Sequence, residues 1–231
     1  MKAAMLSDLI VMKDKLVRIT ACWMLITFVT SVIAGNTPLV VIYVAIVNPI
    51  MTCSALFLTE SASGWEGPRL ALPLSRKNVV DGRYAALAAV TAASVATGAL
   101  AYAAGCLATS IFPGLALLRE AASFDFASLA LCCASAVAFA AFALGVMMPL
   151  NLRFGYEGAL KYAPAIFVLA LALIPQALGP SGLNLLAIGA PALEGSSSQI
   201  LLLSASLVAL GATWYVGSAS VAAQLYERRS F

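Results

Sequence analysis

The chain has 231 residues, of which 62% are hydrophobic and only 10% are charged, with a formal net charge of +3. Soluble domains carry about 25% charged residues, so this composition excludes a protein that covers itself with polar surface in water. Charge-free runs at 19–59, 84–118, 126–152, 162–193 and 195–226 are each long enough for a membrane-spanning helix of about 20 residues. The sequence predicts an all-α, polytopic membrane protein with a single transmembrane domain over residues 1–231.

The first segment, "MKAAMLSDLIVMKDKLVRI", carries charges where a cleavable signal peptide would have its apolar centre. Its apolar residues Leu6, Leu9, Ile10, Leu16 and Val17 fall at helical spacing opposite those charges. Such a pattern predicts an N-terminal amphipathic helix that lies on the inner membrane face. A helix that simply extends the first span into the cytoplasm fits the same pattern, and both alternatives stay open.

Six spans follow in chain order. The first charge-free run is interrupted by "AGNTP" at residues 34–38, where Gly and Asn suit a helix end and Pro cannot continue one, so this run holds two spans. The predicted spans are approximately 19–35, 38–59, 84–111, 126–150, 162–179 and 199–222. An even number of spans places both termini on the same side of the membrane.

The distribution of Lys and Arg predicts which side that is, because short loops rich in these residues stay in the cytoplasm. All of the 13 basic residues except Arg119 fall on one face of the predicted topology. These are Lys2, Lys13, Lys15, Arg18, Arg69, Arg76, Lys77, Arg83, Arg153, Lys161, Arg228 and Arg229. Both termini are therefore expected in the cytoplasm, and the positive charge is explained by orientation and contact with lipid headgroups rather than by nucleic acid.

Several kinds of chemistry lack the residues that they need. The chain has no His, no Lys in a G-K-[ST] context and no C-x-x-C pair among its five Cys residues, which argues against a P-loop ATPase and against metal or redox catalysis. The predicted spans carry no carboxylate near their centres, as an ion-driven carrier usually does. We therefore expect no enzymatic activity and no cofactor in this chain, and any energy for transport has to come from another subunit.

Residues 60–84, "ESASGWEGPRLALPLSRKNVVDGRY", form a connection far longer than the two to eight residues that usually join helices in a bundle. Ser75 is a suitable N-cap for a helix that begins at Arg76 and continues into span 3. Trp65 and three Leu residues add apolar surface among the charges. This composition fits docking against another protein, and it equally fits anchoring in the lipid headgroup region.

The same segment, with Glu60, the pair Trp65-Glu66 and the turn "LPLSR", resembles the connection between spans 2 and 3 in the small six-span bacterial permeases of the type-2 ATP-binding cassette superfamily. The stretches "PLNLRFGYEGALKY" at 149–162 and "SVAAQLYERRSF" at 220–231 are similar to two further segments of these permeases.

The resemblance implies an exporter subunit in the bacterial cytoplasmic membrane that pairs with a second permease, identical or related, and with cytoplasmic ATPase subunits that bind ATP and Mg²⁺. It also implies a cytoplasmic coupling helix between spans 2 and 3 that contacts the ATPase. The candidate coupling residues are Glu60, Trp65, Glu66, Arg69 and Arg76. Residues 151–161 are a possible second contact.

Two other functions remain as alternatives to an exporter of amphipathic or hydrophobic peptides, lipids or drugs. One is the substrate-binding membrane component of an ATP-driven vitamin importer, which would place polar residues on the outer side. The other is a non-transporting immunity or structural protein of the membrane. The polar residues here concentrate on the predicted inner side, which favours the exporter; the sequence identifies neither the cargo nor the second permease.

Overall fold

The computed structural model describes residues 2–34, 39–64, 75–112, 126–177 and 197–227, and within them the chain is helical. The helices are α1 (Lys2–Ala34), α2 (Leu39–Ser63), α3 (Arg76–Ile111), α4 (Phe126–Ala177) and α5 (Ser197–Glu227). The all-α prediction is confirmed for these parts of the chain. Five helical stretches are long and apolar enough to cross a membrane: Met12–Ile33, Val44–Ser63, Arg76–Ile111, Phe126–Ala159 and Ser198–Glu227.

Helix α1 runs without interruption through both the charged N-terminal segment and the first predicted span. No Gly or Pro lies between Lys2 and Ala34, so nothing in the sequence ends the helix between these two parts. The N-terminal segment thus extends span 1, as the second of the two alternatives predicts, and does not form a separate interfacial helix.

The ends of α2 and α3 are set by local sequence signals. Gly64, which follows α2 directly, has a φ of 64°, the left-handed conformation that commonly ends a helix. Ser75 caps α3, and its Oγ accepts a hydrogen bond from the Asn78 backbone N–H at 3.2 Å, which confirms the predicted cap. The coupling helix predicted between spans 2 and 3 stays a prediction, because residues 65–74 of that connection lie outside the described residues.

Helix α4 corrects the expected boundary between spans 4 and 5. The sequence predicts span 4 at 126–150, a connection at 151–161 and span 5 at 162–179, whereas the structure is helical from Phe126 to Ala177 with one break at Gly155. Gly155 has φ 72° and ψ 176°, a conformation that is essentially restricted to glycine. Predicted span 5 is helical as far as Ala177. Because five stretches of the described residues are long and apolar enough to span a membrane, the total of six spans and the cytoplasmic position of the termini stay predictions.

The described helices pack as two closely associated pairs, α4 with α5 and α1 with α3, while α2 lies against both α4 and α3. Close approach depends on small residues, as is usual for helices in lipid. At Gly211 of α5, for example, an added Cβ atom would lie 2.9 Å from the Ala138 Cα of α4. The largest buried cluster joins four helices near one end of the bundle: Cys53, Phe57, Val80, Tyr84, Leu87, Leu144, Met148, Leu152, Ala222, Ala223 and Tyr226.

Candidate functional site

A buried group of charged side chains joins the ends of three helices. Glu60 lies in the last turn of α2, Arg83 lies two turns into α3, and Asp8 belongs to the N-terminal part of α1. The Arg83 Nη2 atom donates to both carboxylate oxygens of Glu60, and the Arg83 Nε atom lies 4.0 Å from the Asp8 Oδ2 atom. The exposed fractions are only 3% for Arg83 and 8% for both Glu60 and Asp8. We call these three residues the charge cluster.

The charge cluster is held against the apolar core. The Arg83 guanidinium carbon lies 4.8 Å from the centre of the Phe57 ring, a distance at which the positive charge is attracted to the face of the ring. Taking three charges out of water is unfavourable unless they are paired with good geometry. The guanidinium pairs closely with Glu60, whereas its buried Nε atom makes no hydrogen bond among the described residues and is near Asp8 only as a charge. This arrangement depends on the relative positions of α1, α2 and α3.

Arg76 makes a second connection at the same end of the bundle. It occupies the first turn of α3, and its Nη1 atom donates to the backbone oxygens of Glu227 at 2.9 Å and Tyr226 at 3.4 Å. Backbone oxygens in the last turn of a helix lack partners within the helix and carry the negative end of its dipole, so a cation is favoured there. Arg76 therefore fixes the end of α5 to the start of α3.

A hydrogen-bonded chain of side chains lies beside these charges and extends the connection to α4. The Ser218 hydroxyl donates to the Gly145 backbone oxygen at 2.5 Å, so the Tyr84 hydroxyl, 2.9 Å from the Ser218 Oγ, is the donor of that pair. The Tyr215 hydroxyl in turn donates to the Tyr84 backbone oxygen at 2.8 Å. These hydrogen bonds join α3 at Tyr84 to both α4 and α5.

A cavity of about 260 Å³ opens between the end of α2 and the break in α4. Its lining includes Glu60 and Gly64 on one side and residues 154–157, with the break at Gly155, on the other. The end of α2 and the interrupted part of α4 are thus adjacent, and both belong to segments for which the sequence predicts a contact with an ATPase.

Two of the five predicted coupling residues lie within the described parts of the chain. Glu60 and Arg76 are at the same end of the bundle, where Glu60 pairs with Arg83 and Arg76 donates to the end of α5. The other three, Trp65, Glu66 and Arg69, lie outside the described residues.

Arg83 and Asp8 are not among the residues that the sequence predicts for the site. The sequence assigns Arg83 only to the orientation of the protein and Asp8 only to the charged side of the N-terminal helix. A spacing signal was present, because Arg76 and Arg83 are seven residues apart and therefore occupy the same face of α3 as the buried Val79 and Val80. A basic residue on the buried face of a helix indicates a buried partner.

These features define a multi-pass membrane protein whose helices are joined by charges at one end. The family model described as ABC-2 family transporter protein matches residues 5–227, and the chain belongs to this family. No curated protein and no solved structure matches the chain. The family assignment makes the protein a membrane permease subunit of an ABC transporter, a class that works with an ABC ATPase and generally carries no catalytic site of its own.

Proposed function

We propose that this chain is the permease subunit of an ATP-driven exporter in the bacterial cytoplasmic membrane. It forms part of the path for an amphipathic or hydrophobic substrate and obtains its energy from a separate ATPase, which binds the ATP and Mg²⁺. The observation that carries the proposal is the charge cluster, since its residues flank the segment 65–74 on both sides within a chain that matches the transporter family over residues 5–227.

The proposed mechanism begins at residues 65–74, which we assign as the contact with the ATPase on the cytoplasmic side. These residues connect the last turn of α2 to the first turn of α3. A push on this segment reaches α2 through Glu60 and α3 through Arg76 and Arg83. The charge cluster then carries the motion to α1, while the Arg76 contact carries it to α5.

A transport pathway between two permeases follows from the same proposal. Large apolar side chains are exposed on the outer faces of the helices, among them Leu25 of α1 and Leu202 and Leu210 of α5, and a second protein could cover them. We therefore propose that a second permease, either a copy of this chain or a relative, completes the pathway, and that two ATPase subunits bind the pair.

The experiment uses the full chain coexpressed with the ABC ATPase of the same organism that copurifies with it. Trp65→Ala combined with Arg76→Glu is expected to abolish copurification of the ATPase and to reduce substrate-stimulated ATP hydrolysis to the rate of the ATPase alone. Lys77→Glu is the matched control, because Lys77 is exposed, adjacent to Arg76 and outside the charge cluster. The mass of the purified complex in lipid gives the number of permeases.

Undiminished copurification and stimulation in the double variant would refute the coupling role. A complex that contains a single permease would refute the shared pathway. Arg76→Lys separates structure from function, since it keeps the cation beside the end of α5 but loses the geometry of the guanidinium.

A further inference from the structure

A polar group of three side chains lies deep inside the apolar part of the bundle, far from the charge cluster. Asn48 of α2 is 1% exposed, and its Nδ2 atom donates to the Thr20 Oγ1 of α1 and to the Ser94 Oγ of α3, both at 2.9 Å. Ser94 uses its own proton for the Val90 backbone oxygen at 2.7 Å. Each of the two hydroxyl groups thus accepts a hydrogen bond from the same amide.

The oxygen atom of the same amide has no hydrogen-bond donor among the described residues. Within the described residues, no group donates a hydrogen bond to the Asn48 Oδ1 atom, although this atom is buried. A buried carbonyl oxygen without a donor is unfavourable, and in hydrocarbon there is little water to supply one. A Leu residue has a similar size and would avoid this cost, so the presence of the amide indicates that its oxygen binds a donor.

Asn48 contributes to a groove of about 450 Å³ between α1 and α3. The other lining residues are almost entirely apolar and include Leu16, Thr20, Met24, Val90 and Ala93. Met24 is 42% exposed, so the groove opens on the outer face of the bundle towards the membrane. A volume of this size is typical of sites for small organic molecules.

The depth of Asn48 restricts what the occupant can be. Asn48 lies nine residues after Leu39, the first residue of α2, which places it about 13 Å along the helix from its nearer end. Ser94 is 17 residues from Ile111 and 18 from Arg76, at the middle of α3. The headgroup of a phospholipid stays at the membrane surface, about 15 Å from the centre of the hydrocarbon layer, and its acyl chains have no donor.

We propose that this groove is a binding site for the cargo and that the cargo is an apolar molecule with an O–H or N–H donor. Because almost none of the surface of the Asn48 Oδ1 atom is accessible, the amide has to turn towards the groove for this donor to pair with it. The term cargo rests on the proposed function; the binding site itself does not. The small side chains of Ala89 and Ala93 leave the space for the apolar body, and the amide selects molecules that carry a donor.

The test uses the full chain in lipid nanodiscs without the ATPase. The probes are a photoactivatable diazirine derivative of hexadecan-1-ol and its methyl ether, which has the same chain but no donor. Mass spectrometry of the crosslinked peptides is expected to show about tenfold more labelling of the groove residues by the alcohol, the factor that one buried hydrogen bond provides. Asn48→Leu is expected to reduce labelling by the alcohol to the level of the ether.

A second pair of variants guards against a folding defect in Asn48→Leu. Ala93→Phe fills the groove and is expected to exclude both probes, whereas Ala92→Phe, an exposed neighbour that does not line the groove, is expected to leave labelling unchanged. Equal labelling by alcohol and ether would overturn the site. An absence of labelling by both probes in the unmodified chain would do so as well, because it would mean that neither probe enters the groove.

The last arm distinguishes cargo from a resident lipid. With the ATPase and ATP present, hexadecan-1-ol is expected to stimulate hydrolysis in the unmodified chain and not in Asn48→Leu. Selective labelling without stimulation would identify a bound lipid and overturn the assignment as cargo. Failure of the ATPase to copurify would refute the proposed function, but it would leave the labelling result intact.

Discussion

Arg83 is an unusual residue to find in the interior of so apolar a protein, and its chemistry explains why Lys would not replace it. A guanidinium is planar and presents several N–H donors, so it can bind both oxygens of one carboxylate and still approach a second acidic residue. The Nη2 atom is used for Glu60 and the Nε atom lies nearest to Asp8. The flat face remains available to the Phe57 ring.

Removal of this guanidinium is expected to destabilise the bundle strongly. In Arg83→Met, the carboxylates of Glu60 and Asp8 stay buried without the positive charge between them, and the free energy of unfolding should fall by about 3–5 kcal/mol. Reversible unfolding in mixed micelles, followed by circular dichroism, measures the change. Arg153→Met provides the control. Arg153 is an exposed residue of α4, and its guanidinium lies over the ring of the neighbouring Phe154.

A combined variant separates stability from coupling. Replacement of all three charges, with Asp8→Asn, Glu60→Met and Arg83→Met together, should restore most of the lost stability, since apolar residues often replace a buried ion pair without cost. Coupling to the ATPase should nevertheless be lost in this triple variant, because α1, α2 and α3 are then no longer joined by charges. A triple variant that is stable and fully coupled would contradict the proposed role, as would an Arg83→Met variant no less stable than the control.

At the scale of the helices, the break at Gly155 allows α4 to change direction beside the end of α2. The φ of 72° and ψ of 176° at this residue are strained for any side chain with a Cβ atom. The neighbouring residues 154–157 line the cavity that also contains Glu60 and Gly64. The break in α4 thus lies directly beside the end of α2, next to the predicted ATPase contact.

Gly155→Ala is expected to lower the free energy of unfolding by about 1–3 kcal/mol, the usual cost of a residue held in a sparsely populated backbone conformation. Gly217→Ala is the matched control, since Gly217 lies within α5 and a Cβ atom there would meet nothing within 4 Å. That change should be neutral or stabilise by up to about 1 kcal/mol, because alanine favours the helix. Equal effects of the two substitutions in thermal unfolding would show that the break is not required.

The helices differ in how far their sequence predicts them. Long charge-free runs, the "AGNTP" interruption and the Ser75 cap placed most of the helices correctly, because these features act locally. The continuation of α4 through 151–161 was missed, since Arg153, Gly155, Glu157 and Gly158 together have the composition of a connection. Leu152 in this stretch is buried in a cluster that includes Phe57 of α2 and Tyr226 of α5, a contact between distant parts of the chain that the local sequence does not reveal.

The sequence predicts where the candidate site lies, but it does not predict which charged residues pair with each other. Glu60 and Arg76 came from a resemblance between segments, and both lie at the same end of the bundle as the charge cluster. The partner of Glu60 is 23 residues away in the sequence, and Asp8 comes from a third helix. Charges that serve to orient a membrane protein look the same in a sequence as charges that pair inside it, so tertiary structure was needed to separate the two.

At the scale of the whole molecule, the charges of the described residues are distributed very unevenly. The end of the bundle formed by the last turn of α2, the first turns of α3 and the last turn of α5 holds Glu60, Arg76, Lys77, Arg83 and Glu227. The last turn of α3, at the opposite end, contains no basic residue. Since Lys and Arg are retained on the cytoplasmic side, this asymmetry predicts the orientation of the entire bundle.

Helix α3 makes that orientation measurable, because at 36 residues it is about 54 Å long and exceeds the hydrocarbon layer of about 30 Å. Lys77 and Phe112 are exposed at its two ends, so a thiol introduced at either position should reach water. In a background with the five native Cys residues replaced, Phe112→Cys should react with a membrane-impermeant maleimide in intact cells, whereas Lys77→Cys should react only after permeabilisation. Labelling of position 77 in intact cells would show that the bundle has the opposite orientation. An ATPase in the cytoplasm could then not contact the segment that joins α2 to α3.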